Sequence, residues 1–302
     1  MKKQIGIIGL GKMGGGLALN LKDNGWDVVA FNRTTKTTDE YATQGVTPSY
    51  SLKEMVSKLE KPRVVWTMLS AGAPTQDTLF QNDEQLRDLL EEGDIVIEGS
   101  NAHYIMDPEN AKVLSLKGIK YLDAGVSGGP DGARNGACIM VGGEKEVFDY
   151  CEEIFKDLSI ENGYKFFKGY GAGHFVKMVH NGIEYGMMQA IAEGFNLMKQ
   201  SEYKLSMVDV ADIYSHGSVI ESRLISWAKE GFEKYGEELE GVKGEVDANG
   251  EGYWTAEAAK DKGIPAPIIQ GSVDFRDQSR GNPSYTGKLL SMMRNMFGKH
   301  KI

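Results

Sequence analysis

Lys177, His180, Asn181, Glu184 and Tyr185 crowd one short, proline-free stretch of the chain. In an α-helix, Asn181 stands about 40° from Lys177 around the axis and Glu184 about 20° to the other side, with His180 and Tyr185 flanking them. A Lys and a Glu seven residues apart would by themselves make a solvated face. With an Asn, a His and a Tyr on the same stripe, the face reads as reactive. A lysine desolvated in a cleft has its ammonium form disfavoured, so its pKa falls and it can act as a general base.

A second chemistry is written near the start. Gly9-Leu10-Gly11-Lys12-Met13-Gly14 follows the strand-like Ile5-Gly6-Ile7-Ile8 and opens a helix-like run from Gly15 to Lys22. The first glycine of such a G-x-G-x-x-G turn makes the bend. The second lets backbone approach a pyrophosphate, and the third lets helix and strand pack closely, while the helix N-terminus offers unpaired N–H groups. In a chain of 38 glycines the pattern alone is weak. As the first βα turn of a chain that continues as βαβ, it is a dinucleotide site. The second strand ends at Phe31-Asn32-Arg33-Thr34. No Asp or Glu stands there to hold a ribose 2′-hydroxyl; Arg33 is suited to a 2′-phosphate, with Thr34 as hydroxyl donor and Thr35 to Thr38 extending the surface. NADP is therefore preferred, with NAD as the alternative.

Two further segments offer polar groups. Asp123-Ala124-Gly125-Val126-Ser127-Gly128-Gly129 closes a strand with a hydroxyl and flexible N–H donors, suited to a small anionic or hydroxylated ligand. Gly250-Glu251-Gly252-Tyr253-Trp254-Thr255, with Arg276 downstream, can cap a cleft and bind an anion.

These residues need a scaffold. Apolar runs at Gln4–Ile8, Asp27–Phe31, Arg63–Met68, Asp94–Ile97, Lys120–Asp123 and Ala137–Val141 alternate with helix-compatible segments, the pattern of βαβ units around a parallel sheet. The pattern changes near Gly169. One long helix is expected from Gly171 to about Gln200, carrying the reactive stripe as a spine between two domains, where clefts form. Helical segments follow at Met207–Tyr214, Ser218–Glu230, Thr255–Lys262, Ala266–Ser279 and Gly287–Phe297, while Gly241–Gly252 reads as an exposed loop. The expected architecture is an α/β Rossmann-type dinucleotide-binding domain with a parallel sheet (residues 1–168) and an all-α C-terminal domain for substrate and oligomerisation (169–302).

Composition agrees. A length of 302 residues suits two domains, and a net charge of −9 gives no electrostatic footprint for nucleic acid. No run of about 18 apolar residues suggests a membrane span. Two cysteines, Cys138 and Cys151, cannot build a disulfide scaffold or a cysteine zinc site. With Met1-Lys2-Lys3 running straight into a strand, they point to the cytoplasm.

The chain resembles decarboxylating 6-phosphogluconate dehydrogenases in their short form, within the β-hydroxyacid dehydrogenases. The resemblance is carried by the glycine fingerprint, Asn32-Arg33-Thr34, Glu98-Gly99-Ser100-Asn101, Gly125 to Gly129, Lys177-Met178-Val179-His180-Asn181-Gly182-Ile183-Glu184-Tyr185, Trp254-Thr255 and the tail Arg294 to His300. It implies oxidation of 6-phosphogluconate to ribulose 5-phosphate and CO2 with reduction of NADP, in the pentose phosphate pathway and without a metal. Lys177 would be the base at the C3 hydroxyl and then the acid during loss of CO2, and Glu184 would protonate the resulting enediol. Asn101, Ser127, Gly128, Gly129, His180 and Asn181 would hold the sugar acid. Tyr185, Arg276, Arg294 and His300 would hold the phosphate end, Tyr253 and Thr255 would also meet the substrate, and Leu69, Ser70 and Asn101 would lie near the cofactor. The resemblance also implies self-association as a dimer or tetramer, with Arg294 and His300 reaching a neighbour's site. Tyr253 and Ser70 stand where the family has lysines. The competing readings are another β-hydroxyacid dehydrogenase, of 3-hydroxyisobutyrate or tartronate-semialdehyde type, and a catalytically silent NADP-binding sensor.

Overall fold

A computed structural model of the chain describes residues 2–81, 83–248 and 250–302. Expectations touching Met1 and Asn249 lie outside the described residues at those positions. The chain forms two compact units, Met1–Met178 and Val179–Ile302.

In the first unit, strands β1 (Gln4–Ile8), β2 (Asp27–Phe31), β3 (Thr47–Ser49), β4 (Val64–Thr67), β5 (Ile95–Glu98), β6 (Lys120–Ser127), β7 (Ala137–Gly143) and β8 (Ser159–Lys168) form one sheet in the order β3-β2-β1-β4-β5-β6-β7-β8. The helices between them are α1 (Lys12–Asp23), α2 (Thr35–Ala42), α3 (Leu52–Lys58), α4 (Ala73–Gln76), α5 (Leu86–Leu89), α6 (Asp107–Ser115), α7 (Gly129–Asn135) and α8 (Lys145–Leu158). β4 and β5 are buried along their whole length, as strands covered on both faces must be, which is why they read as continuous apolar runs. α8 buries Val147, Phe148, Cys151, Ile154, Phe155 and Leu158, a helical stripe against the core.

The sheet departs from the sequence reading in three places. β6 and β7 pair antiparallel, because the short link through α7 is a return and not a crossover. β3 is three residues long and contains Pro48, so it carries no readable period. β8 is an edge strand of mixed polarity, mostly exposed or half-buried.

α9 (Ala172–Lys199) begins in the first unit and continues into the second, so the division falls inside this helix, ten residues beyond the anticipated 168/169. The first turn of α9 explains this: a Cβ at Gly173 would strike the Met140 carbonyl and stand 2.6 Å from the Gly142 nitrogen, so this turn is packed onto β7. The second unit continues with α10 (Met207–Tyr214), α11 (Arg223–Tyr235), α12 (Gly250–Asp261), α13 (Pro267–Ser279) and α14 (Tyr285–Gly298). Its core includes Met188, Phe195, Ile225, Phe232, Leu290 and Met293. α11 starts at Arg223 and not at Ser218, because the Ser222 side chain caps it by accepting from Ile225 N–H. α12 starts at Gly250, earlier than the expected Thr255. The Gly241–Gly252 segment is no exposed loop over its described residues. Val242 and Val246 are buried, Val246 N–H donates to Ser279 Oγ, and Ser291 Oγ donates to the Glu245 carbonyl. No helix among the described residues is long and apolar enough to cross a membrane.

Candidate functional site

The turn from β1 to α1 is shaped by close approach. Gly9 has φ +95°, and a Cβ there would strike the Met68 carbonyl. A Cβ at Gly14 would strike the Gly9 carbonyl, so α1 lies as near the turn as backbone permits. Gly11 is the opposite case: nothing lies within 4 Å of where its Cβ would stand, and as N-cap it supplies no side-chain acceptor. The first N–H groups of α1 therefore meet a clear approach suited to an anion. β1 pairs with both β2 and β4, so this turn sits where the strand order reverses, the place where open α/β sheets bind ligands. These features fit a dinucleotide pyrophosphate. Lys12 is exposed, whereas Leu10 is buried and Met13 packs on the core.

Asn32 has another task than the ribose. Its Oδ1 accepts from Leu10 N–H at 3.0 Å and its Nδ2 donates to the Thr34 carbonyl at 3.2 Å, so it braces the glycine turn. Arg33 and Thr34, which follow it, are both exposed. Leu69 is half-buried against the core and Ser70 is exposed. Thr75 Oγ1 donates to the Ser70 carbonyl and lies 3.2 Å from Ser100 Oγ, tying together the loops that follow β4 and β5.

Asn101 takes φ +54°, a left-handed conformation that asparagine tolerates. Its Oδ1 accepts from Val126 N–H at 3.2 Å, so what it offers a ligand is its Nδ2. Ser127 ends β6, and Gly128 (φ +118°) and Gly129 (φ +63°) turn the chain into α7. Lys177 is 5% exposed, and its stem lies flat on Gly125: a Cβ there would overlap Lys177 Cβ and stand 2.8 Å from its Cγ.

In the second unit, His180 Nδ1 lies 2.9 Å from Asn181 Oδ1 and 4.0 Å from Glu184 Oε2. Gly182 admits Thr255, whose Cγ2 would stand 2.5 Å from a Cβ, and Gly252 admits the Tyr185 ring. The Arg276 guanidinium carbon lies 3.3 Å from the centroid of that ring. Arg276 is 1% exposed; its Nη1 donates to the Asp247 carbonyl at 3.4 Å, while its buried Nη2 has no hydrogen-bond partner among the described residues. Burial, with the charge of Arg294 nearby, lowers the Arg276 pKa to about 10. Burial lowers that of Arg294 too, against the pull of Tyr185, Asp247 and Glu184. Two desolvated guanidiniums that repel one another favour an anion. Tyr253 donates to Asp277, and burial with that bond pushes its phenol up to about 12.

Arg294 and His300, for which the resemblance implies a role at a neighbour's site, are placed by α14 and the tail beyond it. α14 buries Leu289, Leu290, Met292 and Met293, and this packing carries Arg294 into its own unit beside the groups around Arg276. His300 folds against the same helix: its carbonyl accepts from Asn295 Nδ2 at 2.6 Å and its ring lies 6.2 Å from that of Phe297.

One cluster was not read from the sequence. His174, in the first turn of α9, is buried with Glu98, Asp107, Tyr121 and Asp123. Its Nδ1 lies 2.9 Å from Asp107 Oδ2, and Tyr121 donates to Asp107 Oδ1 at 2.6 Å. Its Nε2 faces Glu98 Oε2 at 3.7 Å. Glu98 Oε1 accepts from Ser100 N–H, and Asp123 accepts from the N–H groups of Gly171 (2.7 Å) and His174 (2.9 Å). Burial opposes a charge on His174, but Asp107, Glu98 and Asp123 outweigh it and hold the imidazole pKa up at about 10. Burial raises the Glu98 carboxyl above its usual range, and that of Asp123 to about 6. The available signal was a histidine one turn before Lys177, with one acid closing β5, one opening the helix after it and one inside β6.

Comparison with known proteins follows this division of the chain. The family model for the NAD-binding domain of 6-phosphogluconate dehydrogenase matches residues 4–167, and that for its C-terminal domain matches residues 173–285. The protein YqeC of Bacillus subtilis (strain 168) is 41% identical over 300 residues, 98% of each chain. The NAD(+)-dependent, decarboxylating 6-phosphogluconate dehydrogenase of Haloferax volcanii is 34% identical over 99% of this chain and 98% of its own. A solved 6-phosphogluconate dehydrogenase of Plasmodium falciparum, described with its cofactor NADP+ and its substrate 6-phosphogluconate, superposes with TM-score 0.84 at 32% identity, covering 91% of this chain and 62% of that longer one.

Proposed function

This chain belongs to the 6-phosphogluconate dehydrogenase family, and from that premise we propose that it oxidises and decarboxylates 6-phosphogluconate to ribulose 5-phosphate with NADP as preferred acceptor. The observation that carries the substrate assignment is the Arg276–Arg294 pair, two buried guanidiniums in one place, with an Arg276 Nη2 that has no hydrogen-bond partner among the described residues. A phosphate supplies what two desolvated guanidiniums lack.

In this reading the glycine turn and α1 hold the pyrophosphate, Arg33 and Thr34 hold the 2′-phosphate, and Leu69, Ser70 and Asn101 line the cofactor. Bound NADP supplies a hydride acceptor for C3. Lys177, desolvated against Gly125, takes the C3 hydroxyl proton. The product is a β-keto acid, whose own carbonyl receives the electrons as CO2 leaves, so no metal is required. Lys177, now an ammonium, donates to that carbonyl oxygen. Glu184, about two helical turns along α9, protonates the carbon that lost CO2. Asn101, Ser127, Gly128, Gly129, His180 and Asn181 hold hydroxyls and carboxylate. Tyr185, Tyr253, Thr255, Arg276, Arg294 and His300 line the phosphate end. Self-association belongs to this reading as well, since Ile183 and Met187 lie exposed one turn apart on α9.

The test is to mix the protein with 6-phosphogluconate and NADP, then with NAD, and follow reduced nicotinamide and CO2 together. Equal release of both, faster with NADP and abolished by Lys177→Met, is the expected result. Reduced cofactor without CO2 would make this a simple β-hydroxyacid dehydrogenase, and no signal with either cofactor would overturn the proposal.

A further inference from the structure

The cluster around His174 takes no part in the chemistry proposed above. Burying an imidazole and three carboxyls is costly, and such groups persist where they fix a geometry. Two relations link them to Lys177. His174 precedes Lys177 by three residues on α9, so the two are neighbours on the helix surface. Asp123 precedes Gly125 by two residues on β6, so both project to the same face. Asp123 thus grips the Gly171 and His174 N–H groups from the strand whose Gly125 supports the lysine stem.

We infer that His174 is a positioning residue for Lys177: the carboxyls of Glu98, Asp107 and Asp123 clamp its ring and the first turn of α9, and so fix where the lysine one turn on must lie. The inference rests on Lys177 being the base of the proposed reaction. It has an electrostatic side. The groups facing His174 are Glu98 from β5, Asp107 from α6, and Tyr121 and Asp123 from β6. The cation they sustain stands near the lysine and offsets their negative charge. Without it, the remaining carboxylates favour the ammonium form, so the Lys177 pKa rises.

The test is His174→Gln in the full chain, with Lys177 followed by NMR of lysine 13Cε and its signal identified by its loss in Lys177→Met. Cofactor affinity should stay within about twofold of wild type, and kcat with 6-phosphogluconate should fall at least about tenfold. The Lys177 titration, and with it the acid limb of kcat/KM, should move up by about one pH unit, the scale of one charge lost nearby. Unchanged kcat with an unmoved lysine titration overturns the inference. So does a lowered Tm with an unmoved titration, which would make His174 merely structural. One equivalent of a metal bound by the cluster, found by elemental analysis of protein purified without chelator, also overturns it. If His174→Gln does not fold, Asp107→Asn keeps an acceptor for Tyr121 and should lower kcat by the same order; wild-type kcat in that variant is refutation. If the wild-type protein does not turn over 6-phosphogluconate, the reaction assignment fails, and the lysine titration in His174→Gln still decides this inference.

Discussion

Gly125→Ala asks for one methyl group in the place where Lys177 lies. Gly125 has no left-handed φ, so alanine brings no backbone strain of its own. The cost is contact. The new Cβ would overlap Lys177 Cβ and stand 2.8 Å from its Cγ and 3.2 Å from the Gly173 carbonyl oxygen. Carbon atoms rest at about 3.5–4.0 Å, so the lysine stem must withdraw by about 1 Å. Overpacking of this kind costs about 1–3 kcal/mol of stability, a fall in Tm of a few degrees for a chain this long. A reacting group displaced by about 1 Å loses on the order of 100-fold in rate, or about 2.7 kcal/mol of barrier. The assay is steady-state reduction of NADP with 6-phosphogluconate, beside thermal unfolding and cofactor titration. kcat should fall about 100-fold, cofactor affinity should hold, and Tm should drop slightly. A folded variant with wild-type kcat would refute the claim that Gly125 sets the place of Lys177, the proposed base.

Gly11→Ala is the complementary case. Its Cβ meets nothing within 4 Å, so Tm should not move, while the KM for NADP should rise about tenfold or more because the methyl stands where the pyrophosphate approaches; an unchanged KM would put the pyrophosphate elsewhere. Arg33→Asp should shift preference from NADP toward NAD, read as the ratio of the two kcat/KM values, and an unmoved ratio would mean the 2′-phosphate is held by other groups. Arg276→Met removes a buried guanidinium whose Nη2 has no hydrogen-bond partner among the described residues. The lost stacking on Tyr185, about 0.5–2 kcal/mol, opposes the relieved desolvation, so stability should change by only about 1 kcal/mol. KM for 6-phosphogluconate should nevertheless rise more than about tenfold; an unaltered KM would remove Arg276 from the phosphate site. His174, raised from 6.5 to about 10 in the fold, contributes stability that is complete below about pH 6.5 and lost as pH rises through about 10. Tm should therefore decline across that window in the wild type and less in His174→Gln, and parallel profiles would contradict a buried imidazolium.

The sequence determined the frame because its signals are local. Continuous apolar runs between turns can only be buried strands, so β1, β2, β4 and β5 were legible. The Gly9–Gly14 turn and the stripe from Lys177 to Tyr185 follow from spacing along one turn or one helix. β3 and β8 were not legible, the first too short to show a period and the second a mixed-polarity edge. Nor was the antiparallel return at β7, since a nine-residue link through α7 carries no mark of direction. Only tertiary structure gave Asn32 to the glycine turn, brought Arg294 beside Arg276 in one unit, and gathered Glu98, Asp107, Tyr121, Asp123 and His174 into one buried cluster. The physical reason is the range of the interactions. A glycine turn or a helical stripe is fixed by neighbours a few residues away, whereas the environment that decides whether an Asp, an Arg or a His is charged comes from groups dozens of residues apart.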